Sequence, residues 1–294
     1  RFPSDFSEFR EEIAEALGCF FGPAAMNQYR QQAETQFRLS LQHPAVRAYA
    51  VTDAERTLAM LFAVVSSGKA ARIPFYHVLS DYAQSDVPRL LASTASHALR
   101  SEGINHIVAE CVSLGTADFR KTFTEKGFSV IERLLMRLEP IALCSDENHP
   151  TGRSVPLTQE YTESLGRLLA AVYERHPDRP IHIDLQNTSV AVQFVREVFS
   201  GSYGITRPNY VRGIIQENRL LGLVLGCEVS SDCGFVLHVA VHPDFQHHGL
   251  GTQLMLDLLR EFRNVGLTSA ALAVTATNPA VNLYERLGFK KIRR

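Results

Sequence analysis

The stretch from Phe235 to Phe289 constrains this chain more than any other. It begins FVLHVAVHPDFQHHGLGTQLMLDLL and ends ALAVTATNPAVNLYERLGF, with a helix-period segment between. A run rich in Val and Leu ends at Val241, His242-Pro243 closes a turn, and apolar residues then recur at Leu250, Leu254, Leu258 and Phe262. That spacing predicts a strand, a loop and an amphipathic helix in succession, with Gly249 and Gly251 at the helix mouth. Glycine leaves room for a ligand to approach the backbone, and the amides of a first helical turn have no intrahelical acceptor. Such a helix start is an anion seat, since its N–H groups and the positive end of its dipole read negative charge.

Phosphate in general would satisfy that seat, so the residues around it carry the discrimination. No Gly-Lys-Ser/Thr follows, which removes a P-loop, and Leu254 stands where a dinucleotide fingerprint needs its third glycine. The pattern Gln246-x-x-Gly249-x-Gly251 comes directly after a strand ending in Val-x-Pro. Asn278 and Tyr284-Glu285-x-x-Gly288-Phe289 follow it. Together these motifs cover about the last fifth of the chain and closely resemble the acetyl-CoA signature of the GNAT superfamily of N-acetyltransferases.

The resemblance implies a cofactor site and a chemistry. The strand through Val239 and Val241 would offer backbone groups to the pantetheine arm of acetyl-CoA, and one N–H there would polarise the thioester oxygen. Gln246, His247, His248, Gly249, Leu250, Gly251 and Thr252 would surround the pyrophosphate through their amides, leaving the two histidine side chains as solvated loop residues. Asn278 before Pro279 reads as a helix N-cap, and relatives also use it near the pantetheine. Tyr284 stands where many members carry a general acid; its ring could equally pack beside Leu283 and Leu287. A tyrosine hydroxyl of pKa about 10 can return a proton to a thiolate whose acid is near 8.5.

The general base is not legible. Family members often carry Glu or His where this chain has Phe235 and Leu237, and neither can take a proton. Strand alternation points His238 away from both. Glu228, near the end of the preceding strand, is another candidate, and a water chain would need no side-chain base. No metal is implied.

Composition excludes some classes. A formal net charge of −1 argues against a general nucleic-acid or membrane binder. No apolar run reaches the length of a membrane span, and the acidic first helix is no signal peptide. Five cysteines without a C-x-x-C pair fit reduced thiols in a cytoplasm. Cys227 and Cys233 flank a hairpin loop and read as small semi-buried residues. The chain begins without Met and stops just after the second motif, which suggests trimmed or disordered ends. Oligomeric state is not readable.

At 294 residues, with 45% hydrophobic content, the chain suggests two domains. Phe9, Ile13, Ala16, Leu17 and Phe20 mark a helix over residues 7–20, and a second is expected near 26–41. VRAYAVT, RTLAMLFAVV and IPFYHVLS read as strands, followed by a helix from Pro88 to Glu102, the strand INHIVAECV, a short helix and the strand SVIERLLMRL. After a polar linker the order returns: a short strand at 154–157, two helices, a hairpin through Asn218-Arg219, and the signature segment. The fold class is therefore α/β, or α+β by some schemes: two tandem GNAT-like domains, each a mixed, mostly antiparallel sheet flanked by helices. The boundaries fall at 1–143, a linker 144–152, and 153–294.

Laying one half on the other puts Gln84 against Gln246, but Val87 and Arg89 replace the two glycines. Asp81 and Asp86 bring negative charge to the loop, and Phe123 stands in the place of Tyr284. The first half therefore reads as a degenerate, non-catalytic copy. The expected activity is direct transfer of an acetyl group from acetyl-CoA to a primary amine. A cleft beside the loop 175–187, with His176, Asp178, Arg179, His182 and Asp184, favours a small-molecule acceptor over a protein. The alternatives are a non-catalytic acyl-CoA sensor and an acyltransferase using a longer chain or a protein amine.

Overall fold

A computed structural model describes residues 7–21, 23–54, 56–66, 69–110, 118–141, 154–174, 176 and 178–292. The expected linker 144–152, the chain ends, and the side chains of Ala16, Leu17, Phe20 and Asp184 lie outside the described residues. The chain divides into two compact units, Arg1–Ile131 and Glu132–Arg294.

In the first unit the helices α1 (Ser7–Phe21) and α2 (Pro23–Gln42) precede the strands β1 (Val46–Asp53), β2 (Arg56–Val65) and β3 (Ala70–Val78). Then come α3 (Val87–Ser101), β4 (His106–Ala109) and α4 (Phe119–Thr124). Among the described residues the sheet runs β1-β2-β3-β4, antiparallel except for the β3–β4 pair. Phe9 and Ile13 of α1 pack on Met60, Phe62 and Phe75, while Leu91, Ala95 and Leu99 of α3 pack with Leu61 and Ile73.

The second unit opens on a strand that the sequence places in the first half. Arg133–Leu138 (β5) pairs antiparallel with the strand Ser269–Thr275, so the expected boundary at 143 lies about ten residues too late. Pattern alone shows that SVIERLLMRL is extended; which strand it hydrogen-bonds to is decided by tertiary structure. Next come β6 (Val155–Pro156), α5 (Thr162–Tyr173), α6 (Thr188–Phe199), β7 (Val211–Gln216), β8 (Arg219–Glu228) and β9 (Cys233–Val241). The chain closes with α7 (Leu250–Asn264), β10 (Ser269–Thr275), α8 (Ala280–Arg286) and β11 (Lys290–Lys291). Among the described residues the sheet order is β11-β5-β10-β9-β8-β7-β6, with β9 and β10 parallel. The β7–β8 turn sits at Glu217-Asn218, one residue earlier than the sequence suggests; both have positive φ, at 50° and 61°, as a tight hairpin requires.

The sheet is covered on both faces. Leu250, Leu254, Leu258 and Phe262 of α7 are all buried against Val224, Val236 and Leu272, as their spacing predicts. On the other face Leu165 and Leu169 of α5 and Val195 of α6 pack with Leu223, Leu225 and Ala240. Phe262 lies flat against the backbone of β9, and a Cβ added at Gly234 would meet its ring carbons at 2.4 Å. Cys227 and Cys233 are both buried and free, and burial pushes the Cys227 thiol up to about 12.

A buried polar network holds α7 to the start of the unit. Asp257 accepts the amide and the hydroxyl of Ser154 at 2.8 and 2.7 Å, and Arg212 donates to the Ser154 hydroxyl at 2.8 Å. Burial alone would raise the Asp257 carboxyl; hydrogen bonds from Gln253 and Ser154, with the charge of Arg212, hold it below its usual value.

Two outcomes follow. Gly234→Ala is expected to cost about 1–3 kcal/mol in chemical denaturation, because the Phe262 ring must give way. A depressed folded pKa stabilises above the unfolded carboxylate value of about 3.9 and is lost as pH falls through the folded one. The melting-temperature gap between the native chain and Asp257→Asn should therefore be widest near neutrality and shrink in acid.

Candidate functional site

The site is built where β9 and β10 part. Their parallel register runs from Cys233–Ser269 to Val236–Leu272 and stops there, although β9 continues to Val241 and β10 to Thr275. On its other edge β9 stays paired with β8 as far as Gly222–Val241. A strand that keeps one neighbour and loses the other presents its backbone to whatever enters the wedge.

A β-bulge coincides with that parting. Leu225 pairs with His238 and Gly226 with Val236, which leaves Leu237 as the extra residue. Val236, Val239 and Val241 face the α7 core, whereas Leu237 and Ala240 pack on the α5 side. His238 is on that side too, with Nδ1 2.8 Å from the Tyr173 hydroxyl and its ring 4.9 Å from Phe194 and 5.3 Å from His182. Strict alternation would set His238 opposite Leu237; the bulge puts both on one face.

From Val241 the chain enters a short turn, Pro243–Phe245, braced from β8. Arg219 lies 5.2 Å over the Phe245 ring and 2.9 Å from Nε2 of His242. Gln246 donates to the Val241 carbonyl at 3.2 Å, so this carbonyl already serves the loop with one lone pair. His247 and Gly249 then take left-handed backbone conformations, φ 64° and 83°, on either side of His248. Alternating handedness of this kind turns successive amides toward one concavity. Among the described residues none of the amides from His247 to Thr252 has an acceptor.

The glycines are not explained by packing. A Cβ at Gly249 would meet nothing within 4 Å, and one at Gly251 would make only ordinary contacts, 3.6 Å to Leu283 and 3.9 Å to Val241. The protein itself has no need of the space, and six unused donors surround it. That combination fits a diphosphate.

Across the wedge stands α8. Asn278 caps it, its Oδ1 accepting the Ala280 amide at 2.9 Å, as the sequence predicts. Its Nδ2 donates to Oδ2 of Asp178 at 3.1 Å, a partner no motif announces. Tyr284 is 7% exposed, lies in the α7 core with its ring edge-on to Phe289, and its hydroxyl has no hydrogen-bond partner among the described residues. Burial raises its phenol pKa and the Asp178 carboxylate raises it further, which keeps it protonated at neutral pH.

Glu228 is elsewhere. It pairs with Gly234 at the start of β9, seven residues from Val241, or roughly 23 Å along a strand. There, at the end of β8, it accepts from the Tyr210 hydroxyl at 2.8 Å and from Arg207.

The first unit repeats the path with different contents. Its β3 also leads through a short turn, Ser80–Tyr82, into α3. Pro88 has no amide to give, the Val87 amide is taken by the Ser85 hydroxyl at 3.2 Å, and the Asp86 side chain is 94% exposed at the helix start. Tyr76, Phe119, Phe123 and Phe128 stack at 4.5–5.6 Å where the second unit has its wedge and Tyr284.

A parallel strand pair thus splits and leads into a helix mouth lined with unused amides. The model of the acetyltransferase (GNAT) family matches residues 184–289. A ribosomal protein bS18-alanine N-acetyltransferase of Salmonella typhimurium is 31% identical over 120 residues, 40% of this chain and 79% of that relative. The Escherichia coli (strain K12) protein of that description is 29% identical over the same shares. Among solved structures, a tandem GNAT protein from the clavulanic acid biosynthesis pathway superposes with a TM-score of 0.64 at 17% identity, covering 97% of this chain and 91% of that one. The chain belongs to the GNAT family and is an acetyl-CoA-dependent N-acetyltransferase. The expectation of a small-molecule acceptor is corrected: the named relatives act on a ribosomal protein. That expectation rested on a cleft inferred from domain layout, and the site residues did not require it.

Gly251→Val should weaken coenzyme A binding at least tenfold, about 1.4 kcal/mol by calorimetry, with little change in melting temperature. His248→Ala should bind almost as the native chain does, because that side chain only meets the Gln246 carbonyl at 2.7 Å.

Proposed function

We propose that the second unit transfers the acetyl group of acetyl-CoA directly to a primary amine on a protein, and that the first unit is a non-catalytic copy. The observation that carries the transfer is the coincidence of the bare amides from His247 to Thr252 with the glycines whose space the protein does not use. The amides would hold the pyrophosphate, the β9 backbone at Val239 and Val241 would run beside the pantetheine arm, and Asn278 would border it. When bound, acetyl-CoA supplies a thioester carbonyl, the electrophile. The chain's own residues do the rest.

Tyr284 acts as the general acid. Its hydroxyl has no partner among the described residues to compete for its proton, and its raised pKa keeps the proton present at neutral pH. Donation to the departing sulfur relieves a thiolate whose acid lies near pKa 8.5. Glu228 is held by Arg207 and Tyr210 and is not assigned as base. His238 serves to orient the Tyr173 hydroxyl.

A protein acceptor is supported by the acceptor printed in the names of the bS18-alanine N-acetyltransferases. The non-catalytic reading of the first unit is supported by Pro88, Asp86 and the aromatic stack around Phe123. Buried free thiols at Cys227 and Cys233 support a reducing compartment such as the cytoplasm.

Thiol release from acetyl-CoA, with peptides bearing free N-terminal amines, tests the proposal; saturable coenzyme A binding without acceptor-dependent release would replace it with a sensor. Tyr284→Phe should lower kcat about 100-fold with coenzyme A affinity unchanged. Unaltered turnover would remove Tyr284 from the mechanism.

A further inference from the structure

The middle of the second unit's sheet has one uncovered position. β10 is paired with β5 on one edge and with β9 on the other. Six of its seven residues are buried, as expected of a strand inside a layered fold, and the exception, Ala273, is exposed. Ala270, Leu272 and Val274 belong to the α7 core, so alternation turns Ala273 to the opposite face. On that face the apolar cluster beneath α5 and α6 takes residues of β7, β8 and β9 and none of β10. Ala271 and Thr275, before and after it on the same face, are buried, so the opening is one side chain wide.

This opening lies at the split. The last parallel pair is Val236–Leu272, and the next positions are Leu237 and Ala273. Leu237 packs on the α5 side, so both residues look to the same face. On its other edge Ala273 is opposite Leu135, which is half-buried and alternates with the core residues Leu134 and Met136. Residues directly opposite one another keep their Cβ atoms about 5 Å apart. The Ala273 carbonyl already accepts a hydrogen bond from Arg133 at 3.1 Å. What Ala273 offers is therefore space, with Leu135 and Leu237 as its apolar flanks.

A direct transfer needs two approaches to one carbon, because donor and nucleophile cannot arrive along the same path. The amides from His247 to Thr252 lie beyond the end of β9, and Leu237 is four residues back from Val241, roughly 13 Å along a strand. A donor seated on those amides and running back beside β9 meets the split there, which leaves the Ala273 face for the nucleophile. An entrance one side chain wide suits an α-amine, whose residue brings one side chain beside the nitrogen. Between two leucines an aliphatic side chain gains by leaving water, about 0.8 kcal/mol per methylene, whereas a charged one forfeits hydration.

We infer that Ala273 is the specificity-determining floor of the acceptor entrance: the side chain of an aliphatic N-terminal residue lies over it, between Leu135 and Leu237. The inference rests on the acetyl-transfer reading above and adds which amines that site admits. Ala273 takes no part in bond making; it acts by what it lets through.

The test places Ala273→Ser, Ala273→Val and Ala273→Leu in the full chain. Larger side chains point into open space there, so melting temperatures should stay within about 2 °C of the native chain. Thiol release from acetyl-CoA is followed with a peptide beginning in alanine, a peptide beginning in aspartate, and hydroxylamine, a nucleophile with no side chain. The native chain should favour the alanine peptide over the aspartate peptide at least about tenfold in kcat/KM. The ratio of alanine-peptide to hydroxylamine activity should fall in the order Ser, Val, Leu, by about 100-fold for Ala273→Leu, with coenzyme A affinity unchanged. An unchanged ratio, a weakened coenzyme A affinity or a preference for the aspartate peptide would each overturn the inference. Calorimetry of the coenzyme A complex with the alanine peptide needs no turnover, and Ala273→Leu should weaken that binding at least about tenfold. Binding that the substitution leaves unaltered, or no peptide binding by the native complex, would overturn the inference and leave the transferase reading standing. No coenzyme A binding by the native chain would remove both.

Discussion

Everything at the site depends on two parallel strands that stop pairing. Past Val236–Leu272, β9 and β10 go separate ways while β8 stays attached, so the backbone of one strand becomes a surface inside the fold. Backbone polar groups in a protein interior need partners. A strand edge opened beneath two helices is stable only if those helices remain in place, and α7 is held by packing on one side and polar bonds on the other. Phe262 lies on Gly234, and Asp257 takes the amide and hydroxyl of Ser154. The rigid half of the wedge thus comes from apolar packing and an interior hydrogen-bond network.

The other half is different in kind. Asp257 sits among donors that hold its carboxyl below the usual value, whereas Asp178 has one donor and an orphaned oxygen. Satisfied buried charges stiffen a fold, and unsatisfied ones wait for something. The anion seat shows the same contrast. At the start of α3 Pro88 has no amide and the Val87 amide is used by Ser85, while the amides from His247 to Thr252 have no acceptor among the described residues. Amides without an acceptor at the mouth of α7 have the polarity that an anion would meet.

Much of this was legible in the residues. Gly249, Gly251, Gln246, Asn278 and Tyr284 lie within one contiguous stretch, and local spacing shows what such a stretch becomes: Leu250, Leu254, Leu258 and Phe262 form one buried stripe. The tandem order of helices and strands was also readable from periodicity. His238 was misjudged because alternation assumes an unbroken ladder, and the extra residue at Leu237 gives no sign in composition. Asp178 looked like one charged residue among several in a polar loop. Its value comes from being buried beside Asn278, 100 positions away.

The sequence by itself determined the class of chemistry, because helix-mouth glycines, a capped second helix and a tyrosine one face along are local features written in local order. Tertiary structure alone decided where Arg133–Leu138 would pair, which face His238 would take, and which carboxylate would be buried beside Asn278. These are matters of pairing and burial between distant segments. A sequence records which groups exist; only the folded chain sets which of them have neighbours.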